Sequence, residues 1–273
     1  MKVLVTSSRV PFALDLIRKL ADAGHEVYAS DTYATAPGSH SRYLAGHFVT
    51  PRPRQDSAAF IDEVERIVAD EGIELVLPAF EEVFYLATRH DRLPLFSPPF
   101  ATLARVHDKW SFQRVCEQLG VPAPRTTLAS SDDELRSAIE SYPRYFARAA
   151  FSRGGVGLLT NTGPLAGAAS PADTHPTPAA PWLVQEFVDG PMICTYSVVH
   201  DGKLSAHLTY RAPRQWQHSF YSFLAFGHHE RLSHKDHTKL LEAWADDIAW
   251  NGEPIPGLSD ADAAALREIE SAR

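Results

Sequence analysis

The sequence predicts an α/β protein in two parts: a small doubly wound parallel-sheet domain, then a region built on antiparallel strands. Three observations carry this. Short β-branched runs alternate with amphipathic helical segments through the first hundred residues, the pattern of β-α-β units with right-handed crossovers. Further on, Ile193–Val199 and Lys203–Tyr210 alternate in polarity and are separated by His200-Asp201-Gly202, a strong hairpin signal. Between these regions, Tyr145 to Thr160 reads as strand, glycine-rich loop, strand.

Composition narrows the function classes. The 273 residues suffice for two or three small domains, and 44% hydrophobic with 22% charged residues is ordinary for a soluble globular chain. A net charge of −8 offers no basic surplus for nucleic acid or an anionic membrane, so neither is an expected partner. No apolar run approaches membrane-spanning length. MKVLVTSS reads as the start of a strand rather than a signal peptide. Cys116 and Cys194 sit in apolar periodic contexts and are expected to be buried, reduced thiols, which fits a cytoplasmic protein.

In chain order, Lys2–Thr6 is a short apolar run expected to be a buried strand. Ala13, Leu16, Ile17 and Leu20 recur at helical spacing, and Gly24 stops that helix. Glu26–Ser30 forms the second strand. The first turn lacks Gly-x-Gly-x-x-Gly, which argues against a dinucleotide site and makes Asp31 a cap or turn residue. Phe60, Ile61, Val64, Ile67 and Val68 give the next helix, closed by Gly72. Glu74–Pro78 is a third strand, Glu81-Glu82 opens a helix whose dipole favours both carboxylates, and Leu93–Phe96 is a last short strand.

Asp108 is a suitable N-cap for a helix with Phe112, Val115, Cys116 and Leu119 as one buried stripe. Gly120 then ends the helix and two prolines prevent its continuation. Lys109 lies in the first turn, where the dipole disfavours a cation, so it is either solvated or has an anionic partner. Thr126–Ala129 reads as a strand, and Ser130–Asp133 caps a helix carrying Leu135, Ala138 and Ile139. Gly163 to Pro181 has no periodicity and reads as a surface connection, and Pro181–Val188 resumes as a strand. Leu240, Leu241, Trp244 and Ile248 predict a late helix, and the residues from Gly252 onward a helical segment with little core.

The stretch Tyr145–Thr160 is apolar apart from Arg148 until a loop that sets three glycines beside Arg153. Glycines let backbone N–H groups approach a ligand closely, and two arginines add fixed positive charge, a combination suited to a polyphosphate. Five histidines, His218, His228, His229, His234 and His237, crowd one later stretch without paired cysteines, and read as substrate-loop or surface residues rather than a metal site.

The order of these features resembles the ATP-grasp superfamily, especially carboxylate–amine ligases related to the large subunit of carbamoyl phosphate synthetase. Asp108-Lys109 opens a helix ending Gly120-Val-Pro-Ala-Pro124. A strand with Arg148 enters the glycine loop, and Gln185-Glu186-Phe187-Val188, a glycine and a hairpin follow. The resemblance implies a domain at 1–107 preceding an incomplete ATP-grasp fold at 108–251, with a smaller subdomain at about 121–188, and a divergent tail at 252–273. It implies an ATP-dependent ligase that passes through an acyl phosphate, with small-molecule carboxylate and amine substrates. Lys109 and Arg148 would contact phosphate. Arg153, Gly154, Gly155 and Gly157 would close over it. Gln185, Glu186, Phe187 and Val188 would form the hinge, with Glu186 and the backbone of Phe187 and Val188 meeting the adenine amino group. Arg211 would help to position phosphate or acyl phosphate.

Two departures stand out. Pro191 and Met192 follow Gly190, where the family usually has an acidic residue for the ribose hydroxyls. After Ile248–Gly252 the family has a Glu and an Asn that hold magnesium, whereas Glu253-Pro-Ile-Pro-Gly-Leu-Ser-Asp260 stands here. Magnesium is thus implied by the family without its usual ligands. Asp246, Asp247 and Glu253 do not match the motif and read as surface charges. The alternative expectation is a catalytically impaired nucleotide-binding or partner-binding module, in which a second copy or another chain covers the incomplete sheet.

Overall fold

The computed structural model describes residues 1–152, 158–163, 165–191, 193–211, 250 and 255–271. The chain divides into two compact units, one of Met1–Phe112 with Ala243–Ala272, the other of Gln113–Glu242 with Arg273.

The first unit is organised by a parallel sheet of β1 (Lys2–Val5), β2 (Glu26–Asp31), β3 (Leu44–Val49) and β4 (Leu75–Leu77), in the order β3-β2-β1-β4. Val3, Leu4 and Val5 are fully buried, as expected for the centre of a parallel sheet. Helix α1 (Pro11–Asp22) starts with proline in its first turn and buries Ala13 and Ile17. Helix α2 (Ser57–Glu71) is capped by the Asp56 carboxylate, which accepts from the Ala59 N–H, and ends at Gly72 with φ 65°. The β3 strand went unread in the sequence because Gly46 and His47 interrupt its apolar run. Conversely, the strand expected at Leu93–Phe96 is only a single bridge between Leu95 and Val76.

Buried polar groups tie the strand ends together. The Asp31 carboxylate accepts from the Arg9 N–H at 2.7 Å, from Arg9 Nη2 at 2.7 Å and from the Tyr33 N–H at 3.0 Å. It therefore serves as the turn residue expected from sequence. Glu82 is wholly buried, and one of its oxygens accepts from the Thr6 hydroxyl and from the Ala79 and Phe80 N–H groups. Its task is to hold the loop before α3 (Val83–Ala87) to the end of β1, which the expected dipole role does not describe. Gly38 is required by contact: a Cβ there would lie 2.8 Å from the Ser8 carbonyl oxygen.

The C-terminal residues return to this unit. Trp250 is buried, with ring centroids 4.7 Å from Phe84, 5.4 Å from Phe100 and 6.2 Å from His107. Arg89 donates to the Gly257 carbonyl at 2.8 Å. After helices α4 (Phe100–His107) and α5 (Lys109–Gln118), the chain's last helix packs on α4 and buries Leu266 and Ile269. These two are the buried residues of the helix, while Ala261 and Ala264 are exposed, so the segment contributes little core, as expected. The stripe expected on α5 is corrected. Cys116 is buried, but Phe112 and Leu119 are 49% and 73% exposed.

The second unit carries a four-stranded antiparallel sheet of β5 (Thr126–Ala129), β6 (Tyr145–Ala149), β7 (Leu158–Thr160) and β8 (Trp182–Glu186), ordered β5-β8-β6-β7. Helix α6 (Asp132–Glu140) covers one face. Its start is fixed by Ser131, which accepts from the Glu134 N–H, while the Glu134 carboxylate reaches back to the Ser130 N–H. The expected hairpin is formed by β9 (Ile193–His200) and β10 (Lys203–Arg211), turning at Asp201 and Gly202 with φ 48° and 70°. Cross-strand pairing places Cys194, Tyr196, Val198, Ala206, Leu208 and Tyr210 together on one apolar face. Cys194 is only half-buried there, short of the burial expected. The sequence-predicted helix at 240–248 lies outside the described residues. The last helix, Asp260–Ser271, is named α7.

The packing of Trp250 generates a test. Trp250→Ala should destabilise the first unit by about 3–5 kcal/mol, the range for removing a large buried aromatic side chain, as read by urea unfolding. A loss within about 0.5 kcal/mol, as for a surface substitution, would mean that the ring is not buried in solution.

Candidate functional site

Strand register sorts the second unit's side chains between core and cleft. Phe146 pairs with Gln185, Ala147 with Val184 and Arg148 with Leu183, while Thr126 pairs with Gln185 from the other side. Successive residues of a strand face opposite ways. On one face, Ala129, Tyr145, Ala147, Leu159 and Val184 are buried against Leu135, Ala138 and Tyr142. The other face receives Thr126, Phe146, Arg148 and Gln185.

On that second face lies a cleft of about 220 Å³, lined by Pro124, Phe146, Arg148, Gln185, Glu186, Phe187 and Val188. Its walls are mainly apolar, and its polar groups converge at one place. Arg148 Nη2 donates to Gln185 Oε1 at 3.2 Å, and the guanidinium carbon lies 5.8 Å from the centre of the Phe146 ring. Gln185 is buried and its Nε2 donates to Thr126 Oγ1 at 3.0 Å. A larger hollow of about 350 Å³ lies beside α6, between Asp132, Leu135, Arg136 and Ser170–Ala172. It has a loop wall and no comparable convergence, so it is the weaker candidate.

The strand's exit is locked by two ion pairs. The Glu186 carboxylate accepts from the Arg125 N–H at 2.9 Å and from Arg125 Nε at 3.3 Å. These bonds, the backbone one first, hold the Glu186 carboxyl below the usual carboxylate range. Arg144 grips Asp189 with both terminal nitrogens, one at 2.9 Å, and lies 4.6 Å from the Phe187 ring centre. Asp189 is likewise held low by Arg144. The Phe187 N–H donates to the Arg144 carbonyl, continuing the ladder past β8.

The sequence-predicted residues fall into three groups. Arg148, Gln185, Glu186, Phe187 and Val188 all line the cleft, although the Glu186 carboxylate is engaged with Arg125. Lys109 begins α5 in the first unit, half-buried, one residue after Asp108, whose Oδ1 accepts from the Ser111 N–H at 2.7 Å. Arg211 ends β10 and is exposed. The loop residues Arg153, Gly154, Gly155 and Gly157 lie outside the described residues. So do the histidines His218, His228, His229, His234 and His237, and the carboxylates Asp246, Asp247 and Glu253. Sequence reasoning missed Pro124 and Phe146 as cleft residues and Thr126 as the partner of Gln185. Their alternation was visible, but the partner register that brings them beside Gln185 was not.

Among the described residues, no group of three or more His, Cys, Asp or Glu side chains could hold a metal ion. No helix among them is long and apolar enough to cross a membrane.

The electrostatic lock is testable. Glu186 should titrate below the ordinary glutamate value of about 4.3 by carbon-detected NMR. Arg125→Ala should raise it only partway back, because the backbone donor survives the substitution. An ordinary value in the unsubstituted chain would refute the pairing.

No protein-family model matches this chain, and no curated protein matches it in sequence. Solved structures do match it in fold. An L-amino acid ligase from Bacillus licheniformis matches with a TM-score of 0.61 at 15% identity, over 81% of this chain and 55% of that one. The biotin carboxylase domain of a 2-oxoglutarate carboxylase from Hydrogenobacter thermophilus, a dimer in complex with MgADP, ADP and bicarbonate, matches at 0.60 and 17%, over 91% and 58%. The ADP complex of an N5-carboxyaminoimidazole ribonucleotide synthetase matches at 0.59 and 13%, over 90% and 63%. The chain thus spans less than two thirds of the length of each. These likenesses bear out the expected α/β architecture and the ATP-grasp relationship at the level of fold.

Proposed function

We propose that this chain of ATP-grasp fold binds ATP in the β6–β8 cleft and serves an ATP-dependent ligase reaction between a small carboxylate and an amine. The observation that carries the reading is the meeting of Arg148 and Gln185 on the cleft-bearing face of a sheet whose other face packs beneath α6. The cleft suits a nucleotide physically. Pro124, Phe146 and Val188 offer apolar surface to a flat base, while Arg148 supplies positive charge at its polar end. Two of the solved structures of this fold hold ADP.

Within this reading, Gln185 and the backbone at Phe187 and Val188 would meet the base edge. The Glu186 carboxylate stays with Arg125 and has a supporting task. Arg148 would face the phosphates, and Arg153, Gly154, Gly155 and Gly157 follow β6 directly in sequence as the proposed phosphate loop. Lys109 and Arg211 enter as phosphate-side residues on the strength of the family resemblance. In the proposed reaction the γ-phosphoryl passes to the carboxylate oxygen and ADP leaves. The amine nitrogen then attacks the acyl carbon, and inorganic phosphate departs as the amide forms. Positive charge fixed beside the phosphates would favour this transfer by stabilising charge that shifts toward the leaving oxygen.

Magnesium would ordinarily share that work. The described residues provide no carboxylate group fit to hold it, so no step is routed through the ion. The segment Glu253–Asp260, standing where the family's metal residues fall, favours a second reading: a nucleotide-binding module without ligase turnover. Two free cysteines fit a reducing compartment, and a cytoplasmic location is proposed on that ground.

The test is calorimetric titration with ATP and with ADP, with and without magnesium. Binding near micromolar is expected, and Arg148→Ala should weaken it about tenfold, the loss of one charge-assisted contact of about 1.4 kcal/mol. Glu186→Gln should change affinity far less. ADP release in a screen of carboxylates and amines would support the ligase, and tight binding without release the second reading. No nucleotide binding under any condition would overturn both.

A further inference from the structure

We propose that Thr126 is a positioning residue: its hydroxyl fixes the orientation of the Gln185 amide and, through it, aims the Arg148 guanidinium into the cleft. The functional consequence rests on the nucleotide reading, whereas the positioning itself rests on geometry alone.

Two groups at the ends of this relay have hydrogen-bonding roles that cannot reverse. A guanidinium only donates, and a backbone carbonyl only accepts. Arg148 Nη2 donates to Gln185 Oε1 at 3.2 Å, Gln185 Nε2 donates to Thr126 Oγ1 at 3.0 Å, and the Thr126 hydroxyl donates to the Pro124 carbonyl at 2.9 Å. Between Arg148 at one end and Pro124 at the other, every hydrogen bond has one permitted direction.

The amide has two orientations by shape but one by chemistry. Turned over, its NH₂ group would face the guanidinium, donor against donor. Its oxygen would face a hydroxyl whose proton is already given to Pro124. Of the three bonds, at most one would survive. The Pro124 carbonyl is itself fixed, since it also accepts from Gln113 Nε2 on α5 at 3.3 Å. Gln113 and Gln185 are both buried, whereas Arg148, Thr126 and Pro124 are half-buried.

Remove the hydroxyl, and Gln185 keeps one specific partner instead of two. The terminal torsion of a glutamine is broad, so one bond does not hold the amide plane. Gln185 is a neutral acceptor, and its bond therefore orients the guanidinium without cancelling its charge.

The test compares Thr126→Val, isosteric in a strand, with Thr126→Ser, which restores the hydroxyl. Two readouts are taken on the full chain: nitrogen NMR of the Gln185 side-chain amide and the Arg148 Nε–H, and calorimetric ADP affinity. In Thr126→Val the amide and guanidinium signals should shift and exchange faster with solvent. ADP affinity should fall about fivefold, the worth of one hydrogen bond of about 1 kcal/mol. Thr126→Ser should return both readouts most of the way. Thr126→Ala replaces the valine variant if circular dichroism shows that it does not fold. Unchanged Gln185 and Arg148 signals in a folded variant lacking the hydroxyl, or failure of serine to restore them, would overturn the proposal. If the unsubstituted chain binds no ADP, the nucleotide reading fails while the NMR signals still decide the positioning role.

Discussion

The register of β6 against β8 is the constraint on which the second unit's candidate site depends. Pairing Ala147 with Val184 sends both into the core beneath α6, and the same pairing sends Phe146, Arg148 and Gln185 to the opposite face. A slip of one residue would exchange the two sets, burying a guanidinium among alanines and leaving Val184 in the cleft. The core enforces the register: Ala147 and Val184 are wholly excluded from solvent, and Tyr145 nearly so. The geometry of the candidate site in this unit is thus a consequence of packing on the opposite side of the sheet.

Much of the architecture was legible because local rules decide it. Asp56 and Gly72 bracket α2, Ser131 starts α6, and Asp201-Gly202 turns the hairpin, each by a side chain or backbone conformation confined to a few residues. Apart from β3, whose apolar run is broken locally by Gly46 and His47, the failures share one physical reason: they turn on partners far away in sequence. Leu93–Phe96 has the composition of a strand but makes only one bridge. Phe112 and Leu119 occupy an apolar stripe by spacing, yet are exposed, because amphipathicity says which side of a helix prefers burial and not whether anything covers it. The burial of Leu266 and Ile269 likewise depends on α4, which supplies the opposing surface.

The candidate site divides along the same line. Arg148 and the Gln185–Val188 run could be picked out because charge and order mark them. Pro124, Thr126 and Phe146 carry no such mark: Phe146 and Thr126 come beside Gln185 through sheet pairing, and Pro124 lines the cleft from just before β5. Glu186, given an adenine contact by the family resemblance, lines the cleft while its carboxylate is engaged with Arg125.

The three arginines of this sheet show how one residue type takes different work from its partner. Arg125 and Arg144 meet the carboxylates Glu186 and Asp189, and each pair lowers the acid's pKa and fixes the strand's exit. Both pairs are well exposed, where such contacts contribute about 0–1 kcal/mol, so their value is geometric more than energetic. Arg148 has the Gln185 amide among its partners. A carboxylate at position 185 would hold the guanidinium more strongly but set a negative charge beside any anion entering the cleft, and Coulomb repulsion in so partly desolvated a place costs more than the bond returns. Glutamine gives direction without that charge, but a neutral amide must itself be held in one orientation by something other than electrostatics. The hydroxyl of Thr126, committed to the Pro124 carbonyl, meets that need and ties the cleft's polar end to the edge strand of the sheet.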